Sequence, residues 1–170
     1  MEELKKLKEI NSPDSRTTGF VIVNRETGEK REFNIRDLHE EVELIKLDKA
    51  VPEDVRSQFN VARNLCLYSW FSYSFHNVAC IKAYLTIEMA LRIKLGKPEE
   101  AICNLRPMLE EALARGILQD KSLPETIAYL RNLAAHGSPM NGPWSVLMLR
   151  RCAETLNEEF AGTKDAPDVS

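Results

Sequence analysis

The alternation of apolar and polar positions changes character along the chain. Near the N-terminus, residues 19–23 are rich in β-branched side chains and residues 31–35 alternate between polar and apolar ones, with a polar turn that carries Gly28 between them. This arrangement predicts a β-hairpin over about residues 18–35. Because an isolated hairpin is only marginally stable in water, we expect it to pack on the rest of the chain or to pair with another chain.

The remaining apolar residues recur mostly at the three- and four-residue spacing of amphipathic helices. Pro52 suits a first helical turn, Gly96 suits a helix end, and Pro107 predicts a kink within a helix. The fold class predicted is mainly α, an antiparallel bundle of four to five helices with an N-terminal β-hairpin. Residues 36–50 are predicted to form a short helix with an extended exit, and the other predicted helices cover about residues 52–70, 76–95, 98–115, 122–136 and 143–160.

The same pattern predicts the domain organisation. Residues 1–50 form an N-terminal extension that contains the hairpin and a short helix, and residues 51–160 form the helical bundle. Residues 161–170 form a polar tail that we expect to be disordered.

Composition limits the classes of function. The net charge of −3 gives no general attraction for nucleic acid, so any contact with RNA has to come from a local patch. No apolar run approaches the roughly 18 residues of a membrane span, and the N-terminus has no hydrophobic signal region, so we expect no membrane contact and a cytoplasmic location. Phosphate-loop and serine-hydrolase signatures are also missing.

The cysteines do not have the spacing of a metal site. None of them forms a C-x-x-C pair, and each is surrounded by apolar residues. We therefore predict buried free thiols in a reducing compartment, with no metal and no cofactor. The four cysteines are Cys66, Cys80, Cys103 and Cys152.

One helical segment places polar groups of complementary chemistry on a shared arc. With each residue advancing by about 100°, Arg131, Asn132 and His136 lie opposite the apolar arc that contains Ile127 and Leu133. Asn132 and His136 are also four residues apart, a spacing at which helical side chains interact. The alternative is structural, because arginine and histidine are favoured near a helix C-terminus by the helix dipole alone.

The segment Arg131-Asn132-Leu133-Ala134-Ala135-His136 resembles the R-x4–6-H motif of the HEPN superfamily, including the asparagine directly after the arginine. The motif lies late in a predicted helical bundle with one more helix after it. The upstream helix over residues 83–95 is similar to the second helix of that family, including Glu88 and the basic residues after it. The resemblance covers about residues 52–160 and leaves out the hairpin.

The resemblance implies a metal-independent endoribonuclease that cleaves RNA by attack of the 2′-OH. In that chemistry His136 transfers protons, Arg131 stabilises the charge that builds up on the phosphate, and Asn132 positions the reacting groups. The resemblance also implies a homodimer, in which two motif helices meet at a two-fold interface and form one cleft. The product would carry a 2′,3′-cyclic phosphate.

Other side chains near the motif are candidates for supporting roles. Glu88 can pair with an arginine in the cleft, or simply with Arg92 one helical turn away. Tyr84 can face the motif helix or belong to the core. His76 is expected to be a helix-start residue or a partly buried histidine with satisfied hydrogen bonds.

The last helix supplies candidates for contact with RNA. Arg150 and Arg151 can contact phosphates, although such pairs more often form a solvated helical face. Trp144 can stack on a base, although packing against the bundle is the commoner role of such a side chain.

The sequence is compatible with two functions. The first is a dimeric HEPN-type endoribonuclease in defence, as a toxin, or in RNA processing. The second is a non-catalytic HEPN-like module for dimerisation or for interaction with a protein or nucleic acid. A partner protein, such as an antitoxin or a complex subunit, fits either function.

Overall fold

The structure is a computed structural model that describes residues 4–98, 104–135 and 142–161. It is mainly helical, with a small antiparallel hairpin near the N-terminus, which confirms these two features of the predicted fold class. The elements are β1 (Val21–Val23), β2 (Lys30–Glu32), α1 (Ile35–Glu43), α2 (Glu53–Tyr68), α3 (Phe75–Leu95), α4 (Leu105–Ala114), α5 (Leu123–Ala135) and α6 (Gly142–Ala161).

The hairpin is closed by a turn built around one asparagine. Ile22 is paired with Arg31 at the centre of the two strands. The Asn24 carboxamide accepts a hydrogen bond from the backbone N–H of Glu26 at 2.9 Å. The backbone N–H of Gly28 donates to the Asn24 carbonyl at 2.8 Å, and Gly28 has the positive φ that the turn requires.

A capping box connects the hairpin to α1. The Asn34 carboxamide accepts the backbone N–H of Arg36, and the Asp37 carboxylate accepts the backbone N–H of Asn34, each at 2.9 Å. The Arg31 guanidinium of β2 donates to both oxygens of Asp37, at 2.8 and 2.5 Å, and lowers the pKa of that carboxyl. The hairpin and α1 are therefore joined by a bidentate charged contact.

The N-terminal extension packs on the helical bundle. The backbone N–H of Asp14 donates to the Trp70 carbonyl at 2.9 Å, and the Asp14 carboxylate accepts the backbone N–H of Tyr73 at 3.0 Å. Phe33, just after β2, contacts the Trp70 ring with 6.0 Å between ring centroids. The expectation that the hairpin packs on the rest of the chain is confirmed. The core is continuous across residue 50, because Leu38 of α1 belongs to the same cluster as the helices that follow.

Helix α3 occupies the centre of the fold and contacts α2, α4, α5 and α6. It can do so because its buried positions point in most directions around the axis and many of them are small, which lets neighbouring helices approach closely. The fully buried side chains of α3 include Ala79, Cys80, Ala83, Tyr84, Ile87, Ala90 and Leu91.

The prediction for the helix at 98–115 is wrong at its beginning. Pro98 is not helical, Asn104 has an extended backbone, and α4 begins at Leu105; residues 99–103 lie outside the described residues. Pro107 therefore stands in the first turn of α4, where its missing N–H would have no helical partner in any case. For this reason Pro107 does not produce the predicted kink in the middle of a helix.

Three of the cysteines are free and buried, as predicted: Cys66, Cys80 and Cys152. Cys103 lies outside the described residues, as do residues 162–170 of the predicted tail. No helix in the described part of the chain combines the length and the apolar character that crossing a bilayer requires.

Gly96 ends α3 in the left-handed conformation, with φ of +65° and the backbone N–H of Lys97 bonded to the Arg92 carbonyl at 3.0 Å. A Cβ at this position would meet no neighbouring atom, so only the backbone conformation resists substitution.

We expect Gly96→Ala to lower the free energy of unfolding by about 1 kcal/mol, measured by urea denaturation. Gly96→Asn should cost less, because asparagine tolerates this conformation; equal losses for both variants would contradict the argument.

Glu159 of α6 is buried, and its carboxylate oxygens have no hydrogen-bond partner among the described residues. Burial raises the pKa of Glu159 from an ordinary 4.5 to about 8, an effect that the nearby Lys94 opposes. The folded state thus binds this proton more tightly than the unfolded chain does. The resulting stabilisation is complete below pH 4.5 and is lost as the pH rises through about 8.

We therefore expect Glu159→Gln to flatten the decline in unfolding free energy across this pH range. At pH 8 the variant should be more stable than the wild type by more than about 1 kcal/mol, measured by denaturant titrations at several pH values. Glu158→Gln is the matched control, because Glu158 is the exposed neighbour on the same helix. An unchanged slope in Glu159→Gln would show that this carboxyl is not the group responsible.

Candidate functional site

The last turns of α5 expose the first two residues of the predicted motif. Arg131 and Asn132 are both exposed, whereas Ile127, one turn before Arg131 at the edge of the apolar arc, is buried. The predicted division of this helix into a polar outer arc and an apolar inner one therefore holds for these three residues. His136 lies outside the described residues; α5 is described as far as Ala135, the residue before it.

Arg131 and Asn132 lie on the wall of an open groove of about 520 Å³. The groove is bounded by α5, by the beginning of α4 and by α3. It has the size of a ligand-binding cleft and combines charged, amide and aromatic side chains. Its lining residues are Glu88, Asn104, Leu105, Arg106, Glu125, Tyr129, Arg131 and Asn132.

Most of the charges along the groove are already paired. The Arg92 guanidinium donates to Glu88 at 3.1 Å. Arg106 donates to Glu110 at 3.0 Å and lies 3.9 Å from the nearest Glu125 oxygen.

Arg131 differs from these groups, because no described carboxylate lies within ion-pair distance of its guanidinium. An exposed guanidinium with its donors uncommitted is the group that binds a phosphate in a bidentate fashion. Within the described chain, the groove thus offers an anion one arginine that no neighbouring acid neutralises.

The supporting residues lie in two different places. Glu88 reaches the groove, and its pair with Arg92 has the i, i+4 geometry of the simpler expectation. Tyr84 is buried on α3 and lines a separate cavity of about 120 Å³ together with Ile127. Burial raises the pKa of Tyr84, and its hydroxyl has no hydrogen-bond partner among the described residues. Tyr84 therefore has the position of a core aromatic residue.

The candidates for RNA contact on α6 do not line this groove. Arg150 pairs with Glu41 of α1 at 3.0 Å, and Arg151 pairs with Glu154 at 3.1 Å on its own helix. The Trp144 side chain is 53% exposed, so it is available to stack on a partner. A role for these side chains in RNA binding stays a prediction, and it would require RNA to extend beyond the groove.

Several lining residues were not anticipated from the sequence. Tyr129 precedes Asn132 by three residues and Glu125 precedes it by seven, about one and two helical turns, so the helical arc that identified Asn132 already contained them. Asn104 and Arg106 had no comparable signal, because they reach the groove only through the packing of α4 on α5.

A second polar cluster is buried between α2, α3 and α6. His76 Nδ1 and Ser145 Oγ share a hydrogen bond of 2.6 Å, and Cys66 Sγ lies 3.7 Å from the same hydroxyl. Burial lowers the pKa of His76 to about 4 and raises the pKa of Cys66 to about 11. His76 is thus a buried neutral histidine with a hydrogen-bond partner, as expected. The Cys66 thiol stays protonated and is a poor nucleophile.

Across the residues that the structure describes, no group of three or more His, Cys, Asp or Glu side chains is arranged to hold an ion. The groove brings the Arg131 guanidinium and the Asn132 carboxamide together with the carboxylates of Glu88 and Glu125.

Comparison of this chain with family models, with curated proteins and with solved structures found no match in any of the three.

Proposed function

We propose that this protein is a HEPN-type, metal-independent endoribonuclease that acts as a homodimer, with Arg131, Asn132 and His136 as its catalytic residues. The observation that carries the proposal is the pair of exposed side chains at the end of α5. Arg131 and Asn132 are adjacent, both line the same groove, and the Arg131 guanidinium has no described acidic partner. Fold and motif support the proposal together, because Arg131 and Asn132 lie on the penultimate helix of the described residues, which are mainly helical.

The reaction would be an intramolecular transesterification. The 2′-oxygen of a ribose attacks the adjacent phosphorus, the bond from phosphorus to the 5′-oxygen breaks, and the products are a 2′,3′-cyclic phosphate and a 5′-hydroxyl. His136 would accept the proton from the 2′-hydroxyl or donate one to the 5′-oxygen, since a histidine titrates near neutral pH. A dimer would supply one histidine for each step.

Arg131 and Asn132 have separate parts in this scheme. The Arg131 fork would bind the non-bridging oxygens of the phosphate, and its positive charge would stabilise the additional negative charge of the transition state. The Asn132 carboxamide carries no charge and both donates and accepts hydrogen bonds, so it would orient either the phosphate or the imidazole.

The acidic residues of the groove support a second candidate, a non-catalytic HEPN-like interaction module. Glu88 and Glu125 lie along the same groove as Arg131, and the net charge of the chain is −3. A groove of mixed charge suits a polar protein surface better than it suits a polyanion. In this case α5 would serve for dimerisation or for binding a partner, and RNA would not be cleaved.

Substitution of the two chemically active residues should separate these functions. We expect Arg131→Ala and His136→Ala each to reduce cleavage of a mixed-sequence single-stranded RNA pool by at least about 100-fold. Excess EDTA should leave wild-type cleavage unchanged, because no step uses a metal ion. Gel electrophoresis would measure the rates, and mass spectrometry would identify the 2′,3′-cyclic phosphate on the product.

Arg25→Ala and His39→Ala are matched controls, because both residues are exposed and belong to the N-terminal hairpin and α1. Circular dichroism and thermal unfolding would verify that all four variants fold. Full activity of His136→Ala would refute the catalytic assignment. A wild-type dimer that cuts no RNA in the pool would favour the interaction module instead.

A further inference from the structure

A second cavity, unrelated to the groove on α5, lies between the N-terminal extension and the helical bundle. Its volume is about 380 Å³, which falls within the roughly 300–1,000 Å³ typical of small-molecule sites. β1 and α1 form one side of it, and Trp70, the first turn of α3 and the first turns of α6 form the other. Such junctions between structural units are common places for ligands to bind.

Aromatic and aliphatic side chains form most of the cavity wall. The Phe33 ring meets the Phe20 ring edge-to-face at 6.5 Å and the Trp70 ring at 6.0 Å between centroids. Val146 of α6 completes the apolar lining on the other side. A cavity with such walls is a poor site for ordered water, because each water needs two to four polar partners.

The charges at the cavity cancel one another. Glu41 and Arg150 both belong to its lining, and they form an ion pair of 3.0 Å. His76, which also lines the cavity, is neutral at physiological pH because its burial disfavours the charged form. A charged ligand would lose its hydration at this site without meeting an unpaired opposite charge among the lining residues.

The His76 ring supplies a polar contact for recognition at the cavity. Ser145 engages Nδ1 of His76, so a hydrogen bond between His76 and a ligand has to use Nε2. The ring is held in place by the Ser145 contact and by the edge-to-face contact with Tyr73, with 5.0 Å between the centroids. A fixed imidazole in an apolar wall selects one hydroxyl or amide group on an otherwise apolar molecule.

We infer that this cavity is a binding site for an uncharged, mostly apolar small molecule of two or three fused rings that carries one hydroxyl or amide group. The volume, the aromatic walls, the internal Glu41–Arg150 pair and the oriented His76 together define this class. The inference is independent of RNA cleavage, because none of these residues lines the groove of Arg131.

The test uses 9-phenanthrol as the neutral probe and phenanthrene-9-carboxylate as an anionic probe of the same shape. The chain has two tryptophans, so the Trp144→Phe variant leaves Trp70, on the cavity wall, as the single reporter. We expect saturable quenching of Trp70 fluorescence by 9-phenanthrol at pH 7. The carboxylate should bind at least about tenfold more weakly. No saturable quenching, or equal binding of the two probes, would overturn the inference.

A variant that fills the cavity provides the second arm of the test. Val146→Phe should weaken 9-phenanthrol binding by at least about tenfold, because the larger side chain takes up space that the probe needs. Val61→Phe is the matched control at an exposed valine of α2 and should leave binding unchanged. Undiminished binding to a folded Val146→Phe variant would place the probe elsewhere and refute the site.

If Val146→Phe does not fold, methyl NMR of the wild-type chain decides the question. The methyl groups of Val146 and Leu147 line the cavity and should shift on addition of 9-phenanthrol, whereas those of Val61 should not. Shifts confined to methyl groups outside the cavity would contradict the assignment.

Discussion

The burial of α3 on most of its sides is the constraint on which the rest of the structure depends. Its small residues, such as Ala79, Ala83 and Ala90, let four other helices pack closely around it. Both surfaces with potential function follow from this arrangement. α5 packs against α3 with Ile127 buried and with Arg131 and Asn132 exposed, and the first turn of α3 brings His76 to the cavity beneath the hairpin. A change of packing at α3 would therefore disturb the groove and the cavity together.

Charge pairing gives the two surfaces their different character. Around the cavity, Glu41 and Arg150 neutralise one another, so the site has little to offer a charged ligand. Along the groove, Arg106 is engaged by acidic neighbours, while Arg131 is left without a described partner. An arginine that forms no structural ion pair adds little to stability and keeps its donors available to an anion.

Local sequence signals predicted the helices and strands more reliably than they predicted the groove and the cavity between these elements. The hairpin, the end of α3 at Gly96 and the outward arc of α5 each follow from a few neighbouring residues, and the structure agrees with them. The predicted start of α4 was wrong. A proline within a run of helix-forming residues can stand in the first turn of a helix as well as at a kink, and Pro107 stands in the first turn. The contribution of Arg106 to the groove and the bond between His76 and Ser145 depend on contacts between distant segments. No periodicity within one helix reveals such contacts.

The central claim is that one end of α5 holds a phosphate with Arg131 and Asn132 beside His136. The most direct measurement is side-chain NMR of the protein during titration with a short RNA whose 2′-hydroxyls are methylated, so that it binds without being cleaved. The account predicts that the Arg131 guanidinium, the Asn132 carboxamide and the His136 imidazole shift together with one binding constant. A bound RNA that shifts other surface residues and leaves these three unperturbed would contradict it.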